Sequence, residues 1–272
     1  MRKYLNYVIV AVALQALFFT NSLHGQGQID TTGSNIYFKN ETTVGLMLNS
    51  NGVSLSYRFA RRVNLLKKNL LETEFSLVKH PKEESINSPL FPSNRSFVFG
   101  KKNNFFTLRI GIGRQVEIYS KADIGSIAIR ILTTGGASIG MLKPYYYEKI
   151  SVTGPGADEY TITTEKFNEN IHNALDVYQR APFFTGINEL SIVPGAYLKT
   201  AVSFEYSRES HMLHIIEGGA MIEAFPKKIP IMALTNNNQF FLSIFVSYRF
   251  GHIVDPRLKA LKKEQRRAQK RE

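Results

Sequence analysis

FFLSIFVSYRFG, residues 240–251, alternates without a break: Phe240, Leu242, Ile244, Val246, Tyr248 and Phe250 fall on one face, and Ser243, Ser247 and Arg249 on the other. Side chains in a strand alternate with period two, so one face here is wholly apolar and ends in aromatic residues. A strand laid on a packed core has no reason to crowd Tyr and Phe at one end. A strand facing lipid does, because amphipathic rings settle at the membrane interface. The stretch reads as the closing strand of an outer-membrane β-barrel.

The same period recurs upstream. Residues 53–60 place Val53, Leu55, Tyr57 and Phe59 against Ser54, Ser56, Arg58 and Ala60, and residues 71–78 place Leu71, Thr73, Phe75 and Leu77 against Glu72, Glu74 and Ser76. Phe106, Leu108, Ile110 and Ile112 oppose Thr107, Arg109, Gly111 and Gly113, while Ile127, Ile129 and Ile131 oppose Ala128 and Arg130. Leu198, Thr200, Val202 and Phe204 oppose Lys199, Ala201, Ser203 and Glu205, and two weaker strands lie at 44–48 and 211–224. About eight strands, an even number, predict an all-β, antiparallel up-and-down transmembrane barrel with both termini on one side. Connections on that side are short (61–69, 115–123, 207–210). Those opposite are mostly long (80–103, 151–192, 225–237).

Arg2 and Lys3 precede an apolar run, 8–19, and a small and polar stretch, 20–28, the pattern of a secretory signal peptide. The expected organisation is a signal at 1–25, a periplasmic segment at 26–39, the barrel at 40–251 and a basic periplasmic tail at 252–272. Cysteine is absent, so no disulfide, thiolate site or acylated N-terminal cysteine arises. The net charge of +12 invites a nucleic-acid reading. An exported chain whose excess sits partly in its tail (Arg257, Lys259, Lys262, Lys263, Arg266, Arg267, Lys270, Arg271) argues against nucleic acid as a partner. That tail is expected to be a solvated end, or to touch anionic lipid, the cell wall or an acidic periplasmic protein. Outer-membrane lipid and lipopolysaccharide are the expected surroundings of the barrel.

With the strands oriented, Tyr57, Phe59, Phe204, Tyr206, Tyr248 and Phe250 share one membrane depth and make an aromatic girdle, and Tyr145, Tyr146 and Tyr147 would begin a second at the far end. The inward faces carry Arg58, Arg109, Arg130, Lys199 and Arg249 against Glu72, Glu74, Glu205, Glu217 and Glu223. A barrel this small is filled by its own side chains and buried charge must be paired, so these form a luminal network that plugs the barrel. An ion-selective pore is the alternative and needs a wider cylinder. Within 151–192, Phe167, Ile171, Leu175 and Tyr178 stand at helical spacing and predict a short amphipathic helix over 164–178.

Chemistry is sparse: no catalytic, cofactor or metal motif is expected. His211 and His214, three apart on a strand, point to opposite faces, and His172 reads as a polar position in the long loop. His80 near Glu83, Glu84 and Ser85 is the cluster that joins base, acid and hydroxyl.

The segments FVFGKKNNFFTLRIGIGRQ (97–115), GGASIGMLKPYYYE (135–148), PFFTGINELSIVPGAYLK (182–199), AFPKKIPIMA (224–233) and the closing FVSYRFG resemble a family of uncharacterised outer-membrane β-barrel proteins of Bacteroidota. The resemblance implies fold and lineage, and it carries no catalytic or binding residue with it. The favoured expectation is a non-enzymatic envelope protein with a structural or interaction role, such as an accessory subunit of a secretion or assembly machine. A small outer-membrane transporter or channel, and an outer-membrane enzyme acting on lipid or lipopolysaccharide, are the alternatives.

Overall fold

The computed structural model describes residues 40–121, 126–153, 159–168, 174–207 and 212–254. The expected signal segment, residues 26–39, His172, His211 and the tail cations from Arg257 onward lie outside them. The strands are β1 (Asn40–Asn49), β2 (Gly52–Arg62), β3 (Lys67–Val78), β4 (Ser85–Ile86), β5 (Phe97–Val98), β6 (Asn103–Tyr119), β7 (Ala128–Pro144), β8 (Tyr146–Thr153), β9 (Glu159–Lys166), β10 (Val177–Arg180), β11 (Ser191–Glu205), β12 (Met212–Ala224) and β13 (Phe240–Val254). Eight of these close into an antiparallel barrel in the order β1-β13-β12-β11-β7-β6-β3-β2. All eight strands expected from the sequence are present, and β13 continues past residue 251 to Val254.

The register sets the size of the cylinder. Following partners round from Val44 leads through Tyr57, Thr73, Ile110, Ala137, Ala196 and Ala224 to Phe240. Val44 itself, however, pairs with Phe250, an offset of ten residues (250 minus 240). With about 3.3 Å per residue and about 4.8 Å between strands, this stagger tilts the strands by roughly 40° and encloses a backbone cylinder of about 8 Å radius. Such a space holds side chains and little else.

Asn40 and Val254 lie at one end, here the termini end, where connections are short (63–66, 120–127, 206–211). At the loop end a tight turn at 50–51 is followed by long connections at 79–102, 145–190 and 225–239. The longest carries a three-stranded sheet ordered β10-β8-β9, and the 79–102 connection carries the β4–β5 pair. The amphipathic helix expected over 164–178 is not what its described residues form. Residues 164–166 belong to β9, 174–176 make a 3-10 turn and 177–180 are β10. The reason is local: the β-branched run Thr161, Ile162, Thr163, Thr164 pairs with 148–151 of β8, with Ile150 opposite Ile162, and β-branched side chains suit a strand.

Tyr145 and Tyr147 also differ from expectation. They are buried between this sheet and β5 rather than set in an outer girdle, because β7 ends at Pro144 and a new sheet begins at Tyr146. The Tyr147 hydroxyl donates to the Val98 carbonyl at 2.5 Å and accepts from the Lys101 N–H at 3.0 Å.

One glycine decides how closely β6, β7 and β11 approach. Gly111 faces Gly136 across the ladder, and a Cβ on Gly111 would lie 2.3 Å from the Tyr197 hydroxyl and 2.7 Å from the Gly135 carbonyl oxygen. Gly111→Val should therefore destabilise the barrel by about 1–3 kcal/mol, measured by urea unfolding in detergent. Adding Tyr197→Phe should restore only part of that loss, since the backbone clash remains.

Candidate functional site

The centre of the lumen is built from side chains that alternate inward from six barrel strands. Arg58 and Glu72 sit opposite each other on β2 and β3, and Glu74 and Arg109 on β3 and β6. Two of the resulting bonds are therefore cross-strand neighbours, Arg58 to Glu72 at 3.1 Å and Arg109 to Glu74 at 2.5 Å. All the others but Arg249–Glu217, which links the neighbouring strands β13 and β12, traverse the cylinder. Arg58 reaches Glu217 of β12, Arg109 reaches Glu223 at 2.7 Å, and Lys199 of β11 bridges Glu72 and Glu74 at 2.8 and 3.1 Å. Arg249 of β13 approaches Glu72 at 3.3 Å and Glu217 at 3.8 Å.

Four cations, Arg58, Arg109, Lys199 and Arg249, thus balance four carboxylates, Glu72, Glu74, Glu217 and Glu223. Hydroxyls add to the shell: Ser138 donates to Glu223, Ser247 lies 3.4 Å from Glu217, and Arg249 donates to Ser56 at 2.8 Å. Arg109, Arg249 and Glu72 are 0% exposed. Space for Arg249 comes from Gly45, whose added Cβ would stand 2.8 Å from the Arg249 Cγ.

A second tier closes the termini end. Arg130 pairs with Glu205, with Glu117 at 3.3 Å and with Glu41 at 3.5 Å; Lys68 pairs with Glu41, and Lys121 with Glu205 at 2.9 Å. All ten charged residues singled out in the sequence lie buried in one or other tier. Glu41, Lys68, Glu117 and Lys121 were missed. Three of them lie on β1, β3 and β6 beyond the clearly alternating stretches 44–48, 71–78 and 106–113, and the inward parity continued through Lys68, Leu70 and Glu72, or through Arg109, Gln115 and Glu117, points to two.

At the loop end the network is roofed by apolar side chains. Phe105, Phe225 and Phe241 form a trio with ring centroids 5.5–5.9 Å apart, joined by Val78, Leu142, Val193, Ile229 and Ile231. The 225–239 connection is folded into the mouth to supply them. Asn237 fixes it, accepting from the Ile231 and Met232 N–H groups at 2.8 and 3.0 Å and donating to the Met232 carbonyl at 2.8 Å.

His80 does not assemble catalytic machinery. Its Nδ1 accepts from the Lys82 N–H at 3.2 Å, its Nε2 lies 3.4 Å from the Asn236 carbonyl, and Glu83 is held by Lys101. Burial pushes the Lys101 ammonium below its ordinary pKa against the pull of Glu83. Ser85, on β4, and Glu84 are both exposed. The cluster clamps two loops together. Among the described residues no group of three His, Asp or Glu could hold a metal.

The six rings of the expected girdle lie on the outward face towards the termini end, most of them exposed. Tyr57 and Phe250 flank Val44, and Phe204 and Tyr248 flank Ile216. His214 joins them, its Nδ1 2.9 Å from the Tyr248 hydroxyl.

Because Glu72 serves three cations, Glu72→Gln should cost about 3–5 kcal/mol by leaving buried positive charge uncompensated. The pair Arg109→Met with Glu223→Leu should cost less than the sum of its single changes, and denaturant titrations arranged as a double-mutant cycle measure that difference. Additive behaviour would show that the lumen is not electrostatically coupled.

No protein-family model and no curated protein matches the chain. Among solved structures it is similar to the Neisserial surface protein A (9% identity, 80% of this chain and 96% of that one, TM-score 0.36). It is also similar to Ail, the attachment invasion locus protein of Yersinia pestis, in complex with the heparin analogue sucrose octasulfate (5% identity, 79% and 95%, TM-score 0.35). A third similar structure is the N-terminal β-barrel domain of Pseudomonas aeruginosa OprF (5% identity, 80% and 98%, TM-score 0.33).

Proposed function

We propose that the protein is an outer-membrane β-barrel with a closed lumen, acting through its surfaces as a structural or interaction protein of the envelope. One observation carries the reading: every one of the eight barrel strands turns large apolar side chains outward and leaves them exposed. They include Leu46 and Leu48, Val53 and Leu55, Leu71 and Phe75, Ile110 and Ile112, Ile131, Leu198, Ile222 and Leu242 with Ile244. The paired ions are inside and an apolar band is outside. A water-soluble monomer does not encircle itself with an apolar band, whereas a lipid-facing barrel requires one.

The short turns at the termini end and long connections opposite support a periplasmic placement of the termini. The resemblance to outer-membrane barrels of Bacteroidota belongs to the same proposal. A paired network beneath an aromatic roof argues against conduction, and the engaged ring nitrogens of His80 argue against hydrolysis at the rim. What is left for recognition is the cap, whose exposed Tyr160, Ile162, Phe183 and Phe184 suit an accessory subunit that meets another envelope component. Affinity purification from native membranes would identify that component.

The folded protein should resist mild detergent and run differently on gels before and after boiling. Extraction by salt alone with identical migration would exclude the membrane barrel. Ile244→Arg, outward on β13 and 69% exposed, should cost about 2–4 kcal/mol in lipid, and Ile244→Leu far less. In planar bilayers the intact barrel should show no stable conductance.

A further inference from the structure

The outward surface of the barrel is not uniform in charge. Among the described barrel-strand residues every glutamate faces inward, and the exposed, outward-facing Lys and Arg residues are Arg61, Lys67 and Arg114. They fall on three neighbouring strands, β2, β3 and β6. Arg61 pairs across the ladder with Asn69, and Asn69 with Arg114, while Lys67 lies opposite Val116. All three sit towards the termini end, at the depth of the aromatic girdle, and none is ion-paired with a described carboxylate.

Beside them the β2–β3 turn exposes Val63, Leu65 and Leu66, and the end of β6 exposes Ile118 and Tyr119. The turn is built, not frayed. The Val63 N–H donates to the Lys67 carbonyl at 3.0 Å, the Asn64 side chain accepts from the Lys67 N–H at 2.8 Å, and Arg62 donates to the Leu65 carbonyl at 2.9 Å. The Leu66 carbonyl accepts from the Glu117 N–H at 2.8 Å. Backbone polar groups of the turn are thus engaged by neighbours while its apolar side chains stay exposed.

We infer that Arg61, Lys67 and Arg114, with the turn at 63–66, form a binding site for the headgroup phosphate of an anionic phospholipid in the leaflet at the termini end. The inference rests on the membrane reading above. A lipid satisfies both halves of the patch: acyl chain against Leu65, Leu66, Ile112 and Ile118, which continue the apolar band, and phosphate against three cations that point sideways along the membrane plane. Arg114, opposite Asn69 and exposed, is long enough to lay its aliphatic stem along the band while its guanidinium stays at the interface. Adjacent basic side chains attract anionic lipid additively and lose that attraction in salt.

The test uses the full chain reconstituted in nanodiscs of equal phosphatidylcholine and phosphatidylglycerol, with the lipids retained on the ejected barrel counted by native mass spectrometry. Wild type should retain phosphatidylglycerol over phosphatidylcholine by about fivefold or more. The triple variant R61Q/K67Q/R114Q should lose that preference, and Lys227→Gln with Lys228→Gln, exposed at the loop end, should keep it. Equal retention of both lipids by wild type, or an unchanged preference in the triple variant, would overturn the site while leaving the barrel in place. Capture of polyglutamate without lipid preference would assign the patch to an acidic protein and overturn it too. Failure of wild type to enter the nanodisc at all would remove the membrane reading, and the site with it.

Discussion

Charge confined in a cylinder about 8 Å in radius is the constraint from which the rest of the structure follows. Removing a single carboxylate from water costs several kcal/mol, and the cost is offset only by close, well-directed partners. Glu72 meets that demand by taking Arg58, Lys199 and Arg249 together. Those three cations come from β2, β11 and β13, so one carboxylate fixes the relative height of strands on opposite walls. A slip of one residue in any of them would turn a cation towards lipid and an apolar side chain into the lumen. Register and neutrality are one condition stated twice.

The same condition explains the layering. Two balanced tiers of ions occupy the middle and the termini end, and the loop end is sealed by Phe105, Phe225 and Phe241, which need no partners. The roof keeps water from the upper ions, and the ions hold the walls at the distance that lets the roof pack. The cap above it follows different rules. There, tyrosine hydroxyls and a lysine–glutamate pair tie loops to one another around a small apolar core of Phe97, Tyr147 and Phe167.

The barrel was legible in the sequence because a period of two, with apolar residues out and charges in, needs no knowledge of what lies across the lumen. Arg58, Glu72, Glu74 and Arg109 could be assigned an inward direction one strand at a time. Their partners could not be named: Arg58 meeting Glu217 across the cylinder depends on stagger, which alternation does not encode. The cap is the least legible part of the chain. Phe167, Leu175 and Tyr178 carry helical spacing, yet the β-branched run from Thr161 to Thr164 just before them favours strand, and its pairing with β8 draws the start of the expected helix, 164–166, into β9. The burial of Tyr145 and Tyr147 is not legible because nothing in YYY announces that the barrel strand ends at the preceding proline. The patch of Arg61, Lys67 and Arg114 was overlooked since its members are ordinary residues at strand ends, and only the ladder makes them neighbours.

The seam between β1 and β13 joins residues as distant in the chain as Asn40 and Val254. Until it forms, Arg249 lacks Thr43, Ser56 and Glu72, and the half-made lumen is an open trough of unbalanced charge. Hydrocarbon cannot solvate such a trough, so strands cannot enter the bilayer one at a time with their inward faces bare. Entry into the membrane and closure of the ring must then be a single concerted event, with water retained along the trough until the last rung of hydrogen bonds expels it.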